Sequence, residues 1–171
     1  MIALTARSSK SVRMFCAVVL LTSILGYFSG VEGIFAAEAL QPFAVFNFKK
    51  MDIDIEDGEV DMHATFTLGA SSNGIDLAKD AVSLQVTGGT GAYSVIIPAG
   101  SFKADRSGVF KFQGTINRVK LDAAVRPVRG GAFEFEIETE GANLKGFSNP
   151  VTVNLSIGDD GGSKTVKAEI E

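Results

Sequence analysis

Residues Ala132 to Glu140 read AFEFEIETE, with Phe133, Phe135 and Ile137 on one phase and Glu134, Glu136, Glu138 and Glu140 on the other. An apolar side chain at every second position describes a strand with one face in an oily interior and the other in water. The same period recurs in Met51–Glu56, Glu59–Leu68, Val82–Thr87, Tyr93–Ile97, Val109–Gln113, Val119–Val125, Val151–Ile157 and Thr165–Ile170. Phe43–Phe48 reads as a further strand, with Asn47 and Lys49-Lys50 disturbing its phase in the manner of a bulge. Only Ile75–Asp80 has the pattern of a short helical turn. The expectation is an all-β chain, an antiparallel β-sandwich or flattened barrel of nine to ten strands.

Turn chemistry separates the runs. Asp57-Gly58 signals a two-residue hairpin, which predicts that Glu56 faces Glu59, Asp54 faces Asp61 and Asp52 faces His63. Gly88-Gly89-Thr90-Gly91, Arg129-Gly130-Gly131 and Asp159-Asp160-Gly161-Gly162 read as further turns. A three-residue loop at 129–131 places Arg126 opposite Glu134, Val125 opposite Phe135 and Lys120 opposite Glu140. That pairing explains why a stretch with seven basic and two acidic residues, Lys103 to Arg129, precedes four glutamates.

The amino-terminal 39 residues have a different character. Arg7, Lys10 and Arg13 precede an apolar run, Met14 to Phe28, and Ala37-Glu38-Ala39 supplies a small-residue exit. This is the layout of a signal peptide, residues 1–39, cleaved after Ala39. The competing reading is a retained anchor, but the run is shorter than the ~20 residues a spanning helix needs. Cys16 is the sole cysteine and lies inside this leader behind Arg13-Met14-Phe15, the wrong context for lipid attachment. The remaining 40–171 are expected to form a single cysteine-free domain with 13 basic and 18 acidic residues. It is long enough to be held by its core without covalent staples. The expected location is periplasmic or extracellular, with no membrane contact after cleavage.

An internal repeat is legible. Val82, Leu84 and Val86 match Val153, Leu155 and Ile157 at an offset of 71, and Phe66 and Leu68 match Phe133 and Phe135 at 67. The reading is a pseudo-duplication over about 63–97 and 133–168. Two amphipathic hairpins with glycine turns produce the same likeness without common ancestry.

Candidate chemistry is sparse. The acidic hairpin carries Asp54, Glu56, Glu59 and Asp61, and crowded carboxylates suit a hard cation such as calcium. A solvated face that defends a sheet edge accounts for the same residues. The spacing is not an EF-hand loop. Asp159-Asp160 has the same two readings, cation or plain turn. His63 is the only histidine, and no serine sits in a nucleophile-elbow context. The glycines at 88–91 lead into a strand and lack the lysine of a phosphate loop. Without tryptophan, and with Tyr93 as the one tyrosine beyond the leader, an aromatic sugar platform has little to use. The acidic balance argues against nucleic acid.

The strings Ile97-Pro98-Ala99-Gly100-Ser101-Phe102, Phe110-Lys111-Phe112, Asn149-Pro150-Val151-Thr152-Val153 and Ile157-Gly158-Asp159-Asp160-Gly161-Gly162 resemble a β-sandwich module of uncharacterised exported bacterial proteins. That resemblance covers about residues 82–171 and implies no activity, cofactor or catalytic residue. The expected function is a non-enzymatic exported binding or structural module whose partner is an unknown protein or surface. Three alternatives accompany it: a calcium-stabilised adhesion module, a carboxylate- or metal-dependent hydrolase, and a barrel with an apolar ligand in an interior void. No catalytic, cofactor or metal residue is assigned. An unpaired edge strand would also let subunits associate.

Overall fold

The computed structural model describes residues 40–171; the expected signal peptide, with Cys16 and the expected cleavage after Ala39, lies outside the described residues. Alternation builds nine strands of seven to ten residues, and three two-residue strands complete the set. In chain order they are β1 (Gln41–Pro42), β2 (Val45–Asp54), β3 (Glu59–Thr67), β4 (Val82–Gly88), β5 (Gly91–Ile97) and β6 (Lys103–Ala104). Then follow β7 (Phe110–Ile116), β8 (Val119–Val128), β9 (Ala132–Glu140), β10 (Val151–Ile157), β11 (Asp160–Val166) and β12 (Glu169–Ile170). They form a five-stranded sheet, β1-β11-β10-β4-β5, and a seven-stranded sheet, β12-β2-β3-β9-β8-β7-β6. The two pack face to face as a β-sandwich. The long strands pair antiparallel, but β1 on β11 and β12 on β2 are parallel, so both sheets are mixed.

The apolar phase of each strand faces the other sheet. Leu84, Val86, Val153 and Leu155 of the smaller sheet and Val60, Met62, Phe66 and Phe135 of the larger are each at most 1% exposed. Phe66 stacks on Phe43 at 4.4 Å and on Phe133 at 5.3 Å between ring centres. The strand pattern of the sequence is thus realised, with three corrections of local geometry.

First, the β2–β3 connection is a four-residue turn, and Asp54 faces Glu59, Asp52 faces Asp61 and Lys50 faces His63. Local and distant bonds together set this register. Asp54 Oδ1 accepts the amides of Glu56 at 2.9 Å and Asp57 at 3.0 Å, which folds the chain one pair earlier than Asp57-Gly58 alone would. The tip is then clamped, because Asp57 O accepts from Gly141 N and Gly58 O from Ala142 N. Gly58 has φ of 68°, and a Cβ there would stand 2.3 Å from Ala142 O. No other residue fits that place.

Second, Phe43–Phe48 and Met51–Glu56 merge into the single strand β2, with a bulge between Phe48 and Lys50. Lys164 braces the strand just before the bulge, donating to Phe46 O at 3.0 Å and Asn47 Oδ1 at 2.7 Å. Third, Thr165–Ile170 is not one strand. The chain leaves the smaller sheet after Val166 and joins the larger one at Glu169. The crossing residue, Ala168, is buried, and the Asn149 side chain serves both of its backbone groups. Asn149 Oδ1 accepts from Ala168 N at 2.7 Å, and Asn149 Nδ2 donates to Ala168 O at 2.8 Å.

The stretches matched by offset lie side by side. Phe66 pairs with Phe133 and Leu84 with Leu155, whereas Val82 lies opposite Ile157 and Val86 opposite Val153 rather than opposite their matches. The 129–131 loop gives the expected register, with Arg126 opposite Glu134, Val125 opposite Phe135 and Lys120 opposite Glu140. Leu77–Lys79 makes the single expected turn, closed by Asp80 N on Asp76 O.

Candidate functional site

The charged side chains of the strands collect on the outer face of the seven-stranded sheet. Because cross-strand partners point to the same face, the pairing can be followed from strand to strand. Glu169 is opposite Asp52, Asp52 opposite Asp61, Asp61 opposite Glu138, and Glu138 opposite Asp122. Five carboxylates therefore stand in one row across β12, β2, β3, β9 and β8. At about 4.8 Å between strands, the row spans roughly 20 Å.

Like charges directly opposite repel, and the next rows supply the relief. Lys50 Nζ lies 2.9 Å from Asp52 Oδ2 and also bonds Asp61; these two carboxylates raise its pKa. Gln113 Nε2 donates to Asp122. Glu138, between Asp61 and Asp122 in the row, has no cation within 4 Å among the described residues. Beside the row, Asp52, Asp54, Glu59, Glu169 and Glu171 rim an open depression of about 170 Å3 floored by Ile53. Desolvation and then the charges of Glu138, Asp61 and Asp54 raise the Glu59 carboxyl above its ordinary pKa.

Farther along the same strands the charges balance. Glu134 receives Lys49 and Arg126, the latter at 2.6 Å, and these bonds hold its carboxyl at about 2. Arg126 also bonds Glu136. His63 Nε2 lies 3.4 Å from one oxygen of each of Glu134 and Glu136, without a hydrogen bond to either. Lys120 meets Glu140 at 2.7 Å, as the hairpin arithmetic requires.

Of the four carboxylates picked from the hairpin, the structure keeps Asp54, Glu59 and Asp61 on this face and sends Glu56 to the exposed turn. Asp54 spends one oxygen on turn amides. Among the described residues no three His, Cys, Asp or Glu side chains converge on a point that a metal ion would occupy. The second acidic pair is also divided. Asp159 sits with Gly158 in a two-residue turn, while Asp160 opens β11 and points inward, fully buried. Ser72 Oγ donates to Asp160 Oδ2 at 2.7 Å, and Oδ1 has no partner.

Two features escaped the sequence reading. One is the five-carboxylate row, which needs the β12-β2-β3-β9-β8 order. The other is the outer face of the five-stranded sheet, which bears Ser83, Gln85, Thr87, Ser94, Thr152, Asn154, Ser156, Ser163 and Thr165 and no charge. Its side chains bond one another, Thr152 to Thr165 at 2.8 Å and Asn154 to Gln85 at 3.2 Å. The runs VSLQVT and VTVNLSI already carried that signal in their polar but uncharged phase.

No family model matches the chain, and neither a curated protein nor a solved structure matches it. The geometry therefore carries the functional reading.

Proposed function

We propose that this chain is a non-enzymatic binding or structural module that is exported and works in the periplasm or outside the cell. The observation that carries the reading is where the carboxylates stand. They are ranked along an open sheet face, about half of them engaged in ion pairs, while the apolar side chains are spent on the packed gap between the sheets. Acid–base catalysis calls for a carboxyl held in a shaped, water-poor site with a partner of opposite role. An ordered, water-facing sheet instead presents a fixed field and a fixed shape to another surface. Export rests on the basic, apolar and small-residue sequence of 1–39, and the absence of cysteine from 40–171 leaves the domain indifferent to an oxidising compartment.

The test is expression of the full chain with a carboxy-terminal tag in a bacterial host, followed by fractionation and intact-mass measurement. The expected product begins at Leu40 and is recovered from the periplasm or medium. A full-length product retained in the cytoplasm or the membrane would overturn the proposal.

A further inference from the structure

Four strands bound the two sheets, and three of them are poor templates for another chain. β1, β6 and β12 are two residues long; β1 includes Pro42, β6 begins with Lys103, and Glu169 and Glu171 mark β12. Short length, proline and charge are the usual means of blunting an edge. β5 has none of them. It is seven residues long, and nothing from Ala81 to Phe102 carries a charge.

Its counterpart shows what such an edge accepts. β4–β5 and β10–β11 are adjoining hairpins of one sheet, joined through β4 and β10, each closed by a two-residue turn. The outer edge of β11 is covered by β1, with Gln41 N donating to Asp159 O and Phe43 N to Gly161 O. The outer edge of β5 has no such cover among the described residues.

The hairpin also decides which groups are open. In a two-residue hairpin the pair flanking the turn, here Gly88 and Gly91, is of the hydrogen-bonded kind, while the Gly91 amide also donates to Gly146 O at 3.0 Å. Residues facing β4 and facing away from it alternate from there. Ala92, Ser94 and Ile96 therefore turn their amides and carbonyls away from β4. No other backbone group among the described residues meets them. Their side chains are exposed too, Ile96 at 41%.

We infer that β5 is a dimerisation edge, pairing antiparallel with β5 of a second copy about a twofold axis at Ser94. A twofold interface must be self-complementary, and this strand is. Centring on Ser94 sets Ser94 against Ser94 and Ala92 against Ile96, small opposite large, with no like charges facing. That register uses all three open residues of both chains, for about six hydrogen bonds at two per facing pair. Sliding by one residue faces open groups with closed ones, and sliding by two brings Pro98 or the turn into the ladder. The product is one continuous ten-stranded sheet with an uncharged outer face.

The test uses the protein purified from cells expressing the full chain, in Ser94→Lys and Ser94→Glu forms as well as unchanged. Light scattering across a concentration series reads the mass, and circular dichroism confirms folding. The unchanged protein is expected to double its mass. Each variant sets two like charges face to face at the axis and is expected to weaken dimerisation about tenfold or more. An equimolar mixture of the two variants is expected to restore the dimer, because Lys then faces Glu. Val45→Lys, at an equally exposed apolar position of the other sheet, is expected to leave it intact. A monomer at every concentration, a dimer that persists in both variants, or a mixture that stays monomeric would each overturn the inference.

Discussion

The two sheets have the same inside and opposite outsides. Facing the gap, both alternate apolar side chains, Val, Leu, Ile and Tyr93 in the five-stranded sheet and Val, Leu, Ile, Met and Phe in the seven-stranded one. Facing water, the seven-stranded sheet is a lattice of Lys, Arg, Asp and Glu, whereas the outer face of the five-stranded one is mostly Ser, Thr, Asn and Gln, with Ala92 and Ile96 on its edge strand, and has no charge. Period two alone accounts for the shared inside. The outer phase is free of that constraint, so its chemistry records what each face meets. A charged face repels adventitious strands and stays solvated. A neutral face beside an unblunted edge lets a second sheet continue the first.

The largest effects test the shared inside. Phe135→Ala in the charged sheet and Leu155→Ala in the neutral one are both expected to cost several kcal/mol, about 3–5 and about 2–5 respectively, measured by urea unfolding. A small loss at either position would show that the core belongs mainly to one sheet. Next comes Gly58→Ala, which meets the Ala142 backbone and a left-handed conformation together; a loss of about 2 kcal/mol or more is expected.

The remaining predictions separate the outsides. The depressed Glu134 carboxyl contributes stability that is fully present above its unfolded value of about 4.3. That stability is lost as the pH falls from ~5 through the folded value of about 2. Glu134→Gln is expected to cost about 1 kcal/mol at neutral pH and to flatten the fall of Tm over that acid window. Thr152→Ala on the neutral face is expected to leave the acid profile unchanged. Lys50→Met removes the cation between Asp52 and Asp61, so Tm should drop at low salt and recover as salt screens the row. Calcium against chelator is expected to leave Tm unmoved; a rise of several degrees would show preferential binding to the folded state and favour the calcium-stabilised module.

How much of this was legible follows from range along the chain. The strands were, because alternation is local. The β8–β9 register was, because Gly130 and Gly131 fix a loop that depends on nothing distant. The β2–β3 register was not. Asp54 competes for the turn amides, and Gly141 and Ala142, far along the chain, hold the tip. The carboxylate row was hidden for the same reason, since β9 pairs not only with its sequence neighbour β8 but also with the distant β3. The break at Ala168 was also hidden, because its partner, Asn149, precedes a different strand. For β5 the missing charges were in plain view, but that it ends a sheet is a fact of topology.

The Asn149 clasp has a consequence for how the protein ages. Asparagine is lost over time when the next backbone nitrogen attacks its side-chain amide, which then departs as ammonia and leaves an acid. The residue after Asn149 is Pro150, whose nitrogen carries no hydrogen and is a poor attacker. The amide on which the crossing at Ala168 relies is thereby shielded from its commonest chemical decay. The join between the two sheets at Ala168 therefore outlasts that route of decay for as long as Pro150 follows the asparagine.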